Sequence, residues 1–202
     1  MIRPGDIRYG PSARPGDPSP PSRRTSFLLE VLDWIKYILI AIVLGLAITT
    51  FVLQRNEVVG NSMYPTLYHG DQLWVEKITH HFGGVGRGDI ITFSTANLPG
   101  GHREEDLVKR VIGLPGERVE IRDGAVYING ERLAEPYLAE SVVTEPRLVG
   151  FADLTLAANE YYVLGDNRPD SSDSRVFGPI REDDVIGETL IRVFPLDRFG
   201  RP

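Results

Sequence analysis

Apolar and polar positions divide the 202-residue chain into three segments. Residues 1–24 contain mainly Pro, Gly, Ser and Arg and almost no side chain that a core could bury, which predicts a disordered tail on the cytoplasmic side of the second segment. Residues 37–54 run for eighteen positions without a charge, whereas residues 57–202 contain short apolar runs separated by Gly, Pro, Asn and Asp. Short, punctuated runs are typical of β-strands, so the third segment is predicted to be β-rich.

The uncharged run has the length of a membrane-spanning helix. A bilayer core of about 30 Å needs roughly 20 apolar residues in a helix. Trp34 and Tyr37 suit the headgroup region, and Lys36 can extend toward water. A buried soluble helix would show a polar stripe, and a cleaved secretory signal would have a shorter apolar core of about 7–15 residues. We therefore predict an uncleaved signal-anchor helix over residues 25–54.

Basic residues flank this segment unequally. Arg23, Arg24 and Lys36 lie on its N-terminal side, whereas only Arg55 lies close on the other side. Because basic residues favour the cytoplasmic side, we expect the N-terminus in the cytoplasm and residues 55–202 outside the plasma (inner) membrane, with a single crossing.

Seven segments of the third part carry the strand pattern. They are residues 72–78, 89–95, 106–113, 117–124, 125–130, 160–165 and 188–194. Asp123-Gly124 is a strong two-residue turn signal and predicts a hairpin. We predict a mainly β fold, in which coiled antiparallel sheets form a compact, barrel-like catalytic domain over residues 55–202, preceded by one N-terminal transmembrane helix.

The composition excludes several chemistries. Without cysteine, the chain has no disulfide, no thiolate metal site and no cysteine nucleophile. The net charge of −6, with no basic stripe, argues against a nucleic-acid partner. The histidines show no metal-ligand spacing, so we expect neither a metal nor another cofactor. They are His69, His80, His81 and His102.

A serine in residues 58–67 and a lysine in the predicted strand at 106–113 are the candidates for chemistry. Ser62 has no base beside it in the sequence, but a lysine can act as general base for a serine nucleophile. The lysine pKa, about 10.4 when unperturbed, must then be lowered by an apolar setting. Lys109 is the best candidate, and an edge-strand lysine that deters aggregation is the alternative.

Strand alternation does not decide whether Lys109 is buried. It places Lys109 on one face with Leu107 and Val111, but Arg110 shares the other face with apolar neighbours on both sides. The third candidate element lies in residues 161–178, where a strand ends at Gly165 and a dense polar loop follows it. It reads either as a turn built from Asp and Asn side chains or as a functional loop, in which Asp173 and Arg175 could pair.

Four segments, in this order, resemble those of bacterial type I signal peptidases (leader peptidases), which are serine proteases with a Ser-Lys dyad. They are GNSMYPT at 60–66, GDQLWVEK at 70–77, KRVIGLPG at 109–116 and GDNRPDSSDSRVFG at 165–178. The resemblance extends over about residues 34–195. It implies a membrane-bound serine endopeptidase that removes N-terminal signal peptides from secreted preproteins, through an acyl-enzyme, after small residues at positions −1 and −3.

The same resemblance implies partners and roles for individual residues. The partners are membrane-inserted preproteins and the lipid bilayer, without nucleic acid or metal. Ser62 would be the nucleophile and Lys109 the general base, with Ser171 hydrogen-bonded to Lys109. Asp173 and Arg175 would form a supporting pair.

The resemblance also assigns the surroundings of the nucleophile. Gly165 would allow a close approach near the lysine, and the backbone N–H of Ser62 would form part of the oxyanion hole. Some relatives add a serine hydroxyl two residues before the nucleophile, where this chain has Gly60. The residues expected around the oxyanion hole and the substrate cleft are Gly60, Asn61, Met63 and Pro65.

Two other classes of protein compete with this interpretation. A non-enzymatic, membrane-anchored β-domain that binds an extracytoplasmic partner accounts for the apolar run and the strands, but not for the four segments. A self-cleaving repressor of the related Ser-Lys fold would need a DNA-binding domain before the serine, where this chain has a tail and an apolar run. The lack of cysteine excludes a sortase-like transpeptidase.

Overall fold

The computed structural model describes residues 23–78, 84–98 and 106–202. It divides into two compact units, one that ends at Leu46 and one from Ala47 to Pro202, which we call the β unit. Nearly all of the predicted tail and three of the four histidines lie outside the described residues. These histidines are His80, His81 and His102.

A single long helix, α1, covers Arg23–Phe51. Its segment Leu29–Thr49 has 21 residues with a mean hydropathy of 2.2, and none of it is buried. Residues 37–51 of the helix carry no charged side chain on any face, and this is the one helix in the described chain that could cross a membrane by length and composition. It begins slightly before the predicted segment and ends three residues earlier, at Phe51 rather than at Gln54, because a strand starts at Leu53.

The β unit contains eleven described strands and one short helix, α2, at Ser174–Phe177. The strands are β1 Leu53–Glu57, β2 Gln72–Glu76, β3 Ile90–Ser94, β4 Asp106–Gly113, β5 Arg118–Arg122, β6 Ala125–Ile128, β7 Glu131–Arg132, β8 Asp153–Thr155, β9 Glu160–Leu164, β10 Ile180–Arg181 and β11 Val185–Phe194. A seven-stranded sheet has the order β1-β2-β11-β3-β4-β9-β10, and a four-stranded sheet has the order β7-β6-β5-β8. Every pairing is antiparallel, which confirms the predicted mainly β, antiparallel class.

The strand predictions are confirmed in all seven segments, and β4 has the predicted bounds. Both residues of the predicted hairpin turn have positive φ, 54° at Asp123 and 73° at Gly124, as a tight two-residue turn requires. The sequence pattern missed β1, β7, β8 and β10. The last three have only two or three residues, and β1 is polar, so neither alternation nor an apolar run marks them.

Strand β4 is buried on both sides, which answers the question that alternation left open. Val111 packs in one apolar cluster with Ile91, and Ile112 packs in a second cluster with Tyr162. Val108 packs against a third cluster, which contains Met63. Lys109 and Arg110, which occupy opposite faces of this strand, are therefore both buried.

The chain between β1 and β2 forms a closed loop, residues 58–71, which we call the Ser62 loop. Its ends are joined because Val58 N donates to Asp71 O and Gly70 N donates to Val58 O, both at 2.9 Å. Within it, Leu67 N donates to Met63 O at 2.9 Å, which closes one helical turn. The buried side chains of Met63 and Leu67 attach this turn to the third apolar cluster.

Candidate active site

Ser62 and Lys109 meet in the β unit. The Nζ atom of Lys109 lies 2.7 Å from Ser62 Oγ and 3.0 Å from the Val108 carbonyl oxygen. The Lys109 side chain is buried, and Ser62 is half-buried. Lys109 is positioned by strand β4, where its backbone pairs with Ile91 of β3. Ser62 is positioned by the Ser62 loop.

Burial lowers the pKa of Lys109 from 10.5 to about 8, because the ammonium form loses its hydration. The carboxylates of Asp173 and Asp166 oppose this effect and raise the pKa. With a pKa near 8, roughly a tenth of the lysine is neutral at pH 7. Lys109 can therefore accept a proton from the hydroxyl that it contacts.

The predicted pair in the polar loop is formed. Arg175 donates from Nε to Asp173 Oδ1 and from Nη2 to Asp173 Oδ2, each at 2.8 Å. Both side chains are fully buried. Asp173 also caps helix α2 and accepts a hydrogen bond from Gly165 N at 3.1 Å. The pair therefore sets the shape of residues 165–178, which we call the Asp173 loop.

Gly165 permits the close approach that was predicted for it. A Cβ atom at this position would overlap with Ser171 Oγ and with the backbone oxygen of Ser62. Asn167 of the Asp173 loop is hydrogen-bonded to the backbone of the Ser62 loop. Asn167 N donates to Ser62 O, and Asn167 Nδ2 donates to Asn61 O, both at 3.0 Å.

Ser171 corrects one expectation. Its buried Oγ has no hydrogen-bond partner among the described residues, so it does not bond Lys109. The reason is geometric, because Ser171 Oγ packs against Gly165 while Lys109 Nζ is held by Ser62 Oγ and Val108 O. Ser171 thus lies at the edge of the site without contributing a hydrogen bond to it.

The residues next to Ser62 divide into buried and exposed positions. Met63 is 1 % exposed and packs under the turn from its buried side. Asn61 and Pro65 are exposed on the loop. Gly60 has a φ of 89°, and its N–H donates to His69 Nδ1 at 3.2 Å. A side chain at position 60 would be strained, and the Gly60 N–H is already bonded.

The backbone N–H of Ser62 makes no hydrogen bond within the described parts of the chain. It is therefore free to donate to an oxygen that accumulates charge next to Ser62 Oγ. This is the property required of an oxyanion-hole donor.

Asp166 is a site residue that the sequence interpretation missed, although it lies in one of the four quoted segments. Arg110 donates to its two oxygens, from Nε at 2.9 Å and from Nη2 at 2.7 Å, and both side chains are buried. Thr66 Oγ1 donates to Asp166 Oδ2. Asp166 therefore connects the Ser62 loop to the strand that carries Lys109.

Arg168 is a second missed residue and is fully buried. Its Nε donates to Gly165 O at 3.1 Å, and its Nη2 donates to Glu135 Oε1 at 2.5 Å. Its Nη1 donates to Thr144 Oγ1. Arg168 lies in a quoted segment, but Glu135 and Thr144 lie between strands with no periodic pattern, so the sequence had no signal for these partners.

An open groove of about 530 Å³ includes Val108, whose carbonyl oxygen accepts a hydrogen bond from Lys109 Nζ. It is lined by Arg55, Asn56, Glu57, Val59, Thr92, Asp106, Leu107 and Val108. Strand β1 pairs only with β2 among the described strands, and β9 pairs with β4 only from Arg110 onward. The groove is therefore bordered by two stretches of strand, in β1 and in the first half of β4, that have free backbone groups.

Metal binding finds no support in the part of the chain that the structure describes. No group of three or more His, Asp or Glu side chains there is arranged to hold an ion. The carboxylates of Asp166 and Asp173 are instead paired with Arg110 and Arg175.

Comparison with known proteins places these features in a family. The model of the family "Signal peptidase, peptidase S26" matches residues 31–194. Signal peptidase I P of Bacillus subtilis subsp. natto is 37 % identical over 175 residues, which cover 84 % of this chain and 92 % of that protein. Signal peptidase IB of Staphylococcus aureus (strain COL) is 32 % identical and covers 84 % of this chain and 93 % of its own length.

A crystal structure of a signal peptidase I from Enterococcus faecalis V583 is 38 % identical, with a TM-score of 0.43, over 52 % of this chain and 95 % of that chain. The family match and the sequence relatives, by contrast, extend over more than four fifths of the chain. On these grounds, the chain belongs to the signal peptidase (peptidase S26) family and is a serine peptidase, a hydrolase, of the signal peptidase I type.

Proposed function

We propose that this chain removes N-terminal signal peptides from secreted preproteins, with Ser62 as nucleophile and Lys109 as general base. The observation that carries the proposal is the 2.7 Å contact between Lys109 Nζ and Ser62 Oγ, at a lysine whose burial lowers its pKa to about 8. The names of the relatives, each a signal peptidase I, support the substrate class.

The reaction is acyl transfer in two steps. Neutral Lys109 accepts the proton of Ser62 Oγ while the oxygen attacks the scissile carbonyl carbon. The tetrahedral intermediate collapses to an ester on Ser62 as the C–N bond breaks, and the lysine ammonium gives its proton to the departing amine. Lys109 then takes a proton from a water molecule, which hydrolyses the ester and frees Ser62.

Charge on the carbonyl oxygen needs a donor that is already in place. The free N–H of Ser62 is suited to this role, and a donor of this kind is worth about 10²–10³ in rate in serine proteases. Gly60 has no hydroxyl, and its N–H is engaged by His69. The exposed side-chain amide of Asn61 is adjacent to the same position in the sequence.

The groove is suited to an extended peptide. Free backbone groups along β1 and the first half of β4 can pair with an added strand, which places its carbonyl groups in order along the cleft. In an extended chain, the side chains at −1 and −3 point to the same side. Thr92, Leu107 and Val108 line this groove. It is the proposed surface for the side chains at −1 and −3, which the resemblance to the family predicts to be small.

Helix α1 provides the membrane attachment in this proposal. Its 21-residue apolar segment is long enough for one crossing. The excess of basic residues on its N-terminal side supports an orientation with the N-terminus in the cytoplasm and residues 55–202 on the outer side of the plasma (inner) membrane. Preproteins emerge from export on that side with the signal peptide still in the lipid, so the bilayer and the membrane-inserted preproteins are the expected partners.

A cleavage assay with a labelled preprotein in detergent tests the proposal. We expect Ser62→Ala and Lys109→Ala each to abolish cleavage, because each removes an atom that takes part in the first step. Ser172→Ala is the matched control, since Ser172 is an exposed serine of the Asp173 loop, and we expect it to cleave like the unmodified chain.

Substrates with Ala at −1 and −3 are compared with substrates that carry Phe at either position, and only the former should be cut. Retained cleavage by either dyad variant would remove the basis of the proposal. It would mean that other residues carry out the cleavage, whereas a lack of cleavage by the unmodified chain would favour the non-enzymatic, membrane-anchored binding domain.

A further inference from the structure

The Ser62 loop is held by a part of the chain that neither the four sequence segments nor the proposed chemistry includes. Strand β11 and the residues after it bring Arg192 and Arg198 to this loop. We propose that Arg192 is a positioning residue that sets the place of Ser62 relative to Lys109. The inference rests on the proposed function, because its readout is the rate of peptide-bond cleavage.

Thr66 is the point where two sets of contacts meet. Its side chain donates to Asp166, which Arg110 connects to the lysine strand. Its backbone oxygen accepts a hydrogen bond from Arg192 Nη1 at 3.0 Å. Thr66 is four residues after Ser62, within the turn closed by the Met63–Leu67 hydrogen bond, so a shift of its carbonyl group shifts the serine.

Asp71, the last residue of the Ser62 loop, also contacts Arg192. Its carboxylate is fully buried, and its Oδ2 accepts hydrogen bonds from Arg192 Nη1 at 3.2 Å and from Tyr68 N at 3.0 Å. Arg198 Nη2 lies 3.0 Å from Asp71 Oδ1 and forms an ion pair with it. The two groups are not aligned for a hydrogen bond, and Oδ1 accepts none from the described residues. The Arg198 guanidinium also lies 4.0 Å from the centre of the Tyr68 ring.

Arg192 is itself held in place. Its backbone pairs with Gly200, with hydrogen bonds of 2.8 and 3.1 Å, and its Nε donates to Arg198 O at 2.5 Å. Its side chain is 12 % exposed. The guanidinium therefore joins Thr66, Asp71 and the end of the chain as a fixed fork rather than as a mobile surface charge.

A single helical turn has little stability of its own, because its nucleation cost is not repaid by further turns. The Ser62 loop therefore depends on contacts from outside, and catalysis is sensitive to small displacements. A misplacement of about 1 Å can cost on the order of 10²-fold in rate. Loss of the Arg192 contacts should accordingly lower the rate of chemistry more than it lowers substrate binding.

The test compares Arg192→Met with Arg201→Met in the full-length chain. Arg201 is the matched control, because it comes from the same terminal segment and pairs with Glu188 of the same strand, but contacts no residue of the Ser62 loop. We expect Arg192→Met to lower kcat by about 10- to 100-fold, with KM within about twofold of the unmodified chain. Arg201→Met should leave both constants unchanged.

Two further readouts separate positioning from general loss of structure. The pH at which the rate levels off should remain about 8 in Arg192→Met, because the burial of Lys109 is unchanged. Arg192→Lys should recover most of the lost kcat, since an ammonium group can still donate to Thr66 O and to Asp71. Rates are expressed per folded molecule, with the folded fraction measured by circular dichroism, and Arg192→Gln replaces Arg192→Met if the latter does not fold.

The inference is overturned if Arg192→Met cleaves as fast as Arg201→Met, or if Arg192→Lys is as slow as Arg192→Met. A fall in rate explained entirely by a smaller folded fraction also overturns it. Failure of the proposed function has a different signature, because the unmodified chain and Arg201→Met would then not cleave the preprotein either.

Discussion

The β unit buries positive charge in two ways. In the Asp173 loop, Arg168 and Arg175 are fully buried, and each is hydrogen-bonded to a carboxylate, that of Glu135 or Asp173. In β4, Lys109 is buried equally well but contacts only a hydroxyl and a carbonyl oxygen. A buried cation therefore stays charged where it is hydrogen-bonded to a carboxylate. Where no carboxylate is hydrogen-bonded to it, burial favours the neutral form.

The pKa values follow this difference. Burial alone would lower the pKa of Arg168, but the hydrogen bond and charge of Glu135 outweigh it and the pKa is raised. At Lys109, burial is the dominant cause and the pKa falls to about 8, because Asp173 and Asp166 act only through space. The paired arginines shape the site, and the lysine without a hydrogen-bonded carboxylate is its proposed base.

The largest expected effect comes from leaving a buried arginine without its carboxylate. Glu135→Gln keeps the shape but leaves Arg168 charged and uncompensated, so the free energy of unfolding should fall by about 3–5 kcal/mol. Urea denaturation measures this value. The control is Arg118→Met, which breaks the exposed pair with Asp153 and should not change the Tm.

A second variant sharpens the result. The combined change Glu135→Leu and Arg168→Met removes both charges, so it should recover most of the stability that Glu135→Gln loses. A double variant less stable than Glu135→Gln would mean that Arg168 contributes by packing rather than by its pairing.

The next largest effect is an increase in the free energy of unfolding. At pH 7, below both the folded pKa of about 8 and the unfolded pKa of 10.5, Lys109 is charged in both states and the folded state bears the full desolvation cost. Lys109→Met removes this cost, so the free energy of unfolding should rise by about 3 kcal/mol at pH 7. Thermal unfolding in detergent at several pH values measures the change.

The pH dependence identifies the cause. Between pH 8 and 10.5 the unfolded chain binds more protons at this position than the folded chain, so the unmodified protein gains stability as pH rises. The advantage of Lys109→Met should therefore shrink over this range and vanish above it. An advantage that is constant with pH would attribute the effect to packing, and Ser62→Ala, which keeps the charge, should not show this pattern.

The smallest effect concerns the rate of the unmodified chain. Below pH 8, kcat/KM should fall about tenfold for each pH unit, equal to about 1.4 kcal/mol, and above pH 8 it should level off. The value of kcat/KM rises with pH because only the neutral form of Lys109 can accept the proton of Ser62. Initial rates on a labelled preprotein give the profile, with the folded fraction monitored at each pH, and a rate that is flat from neutral to alkaline pH would contradict lysine as the base.

Much of the fold follows from patterns that span a few neighbouring residues. Strand β4 is marked by its β-branched and alternating residues, the hairpin by Asp123-Gly124, and helix α1 by its uncharged run. Short strands such as β7 and β10 lack enough residues for a pattern, so their formation depends on the strands beside them.

The candidate site is predicted less completely, since its contacts join distant parts of the chain. The resemblance to a family predicted Ser62, Lys109 and the Asp173–Arg175 pair as site residues, and the structure shows the contact within each pair. The resemblance did not identify Asp166 or Arg168, and it assigned Ser171 a hydrogen bond that the structure does not contain.

The sequence by itself determined the class of fold, the apolar helix, the strand that carries the lysine and the chemistry available to a chain without cysteine. Only the tertiary structure decided that β4 is buried on both sides and that Lys109 reaches Ser62 across 47 positions. It also decided that Arg110 meets Asp166 across 56 positions and Arg168 meets Glu135 across 33. The physical reason is that periodicity reports on neighbours along one element, whereas burial and charge pairing depend on which elements pack together.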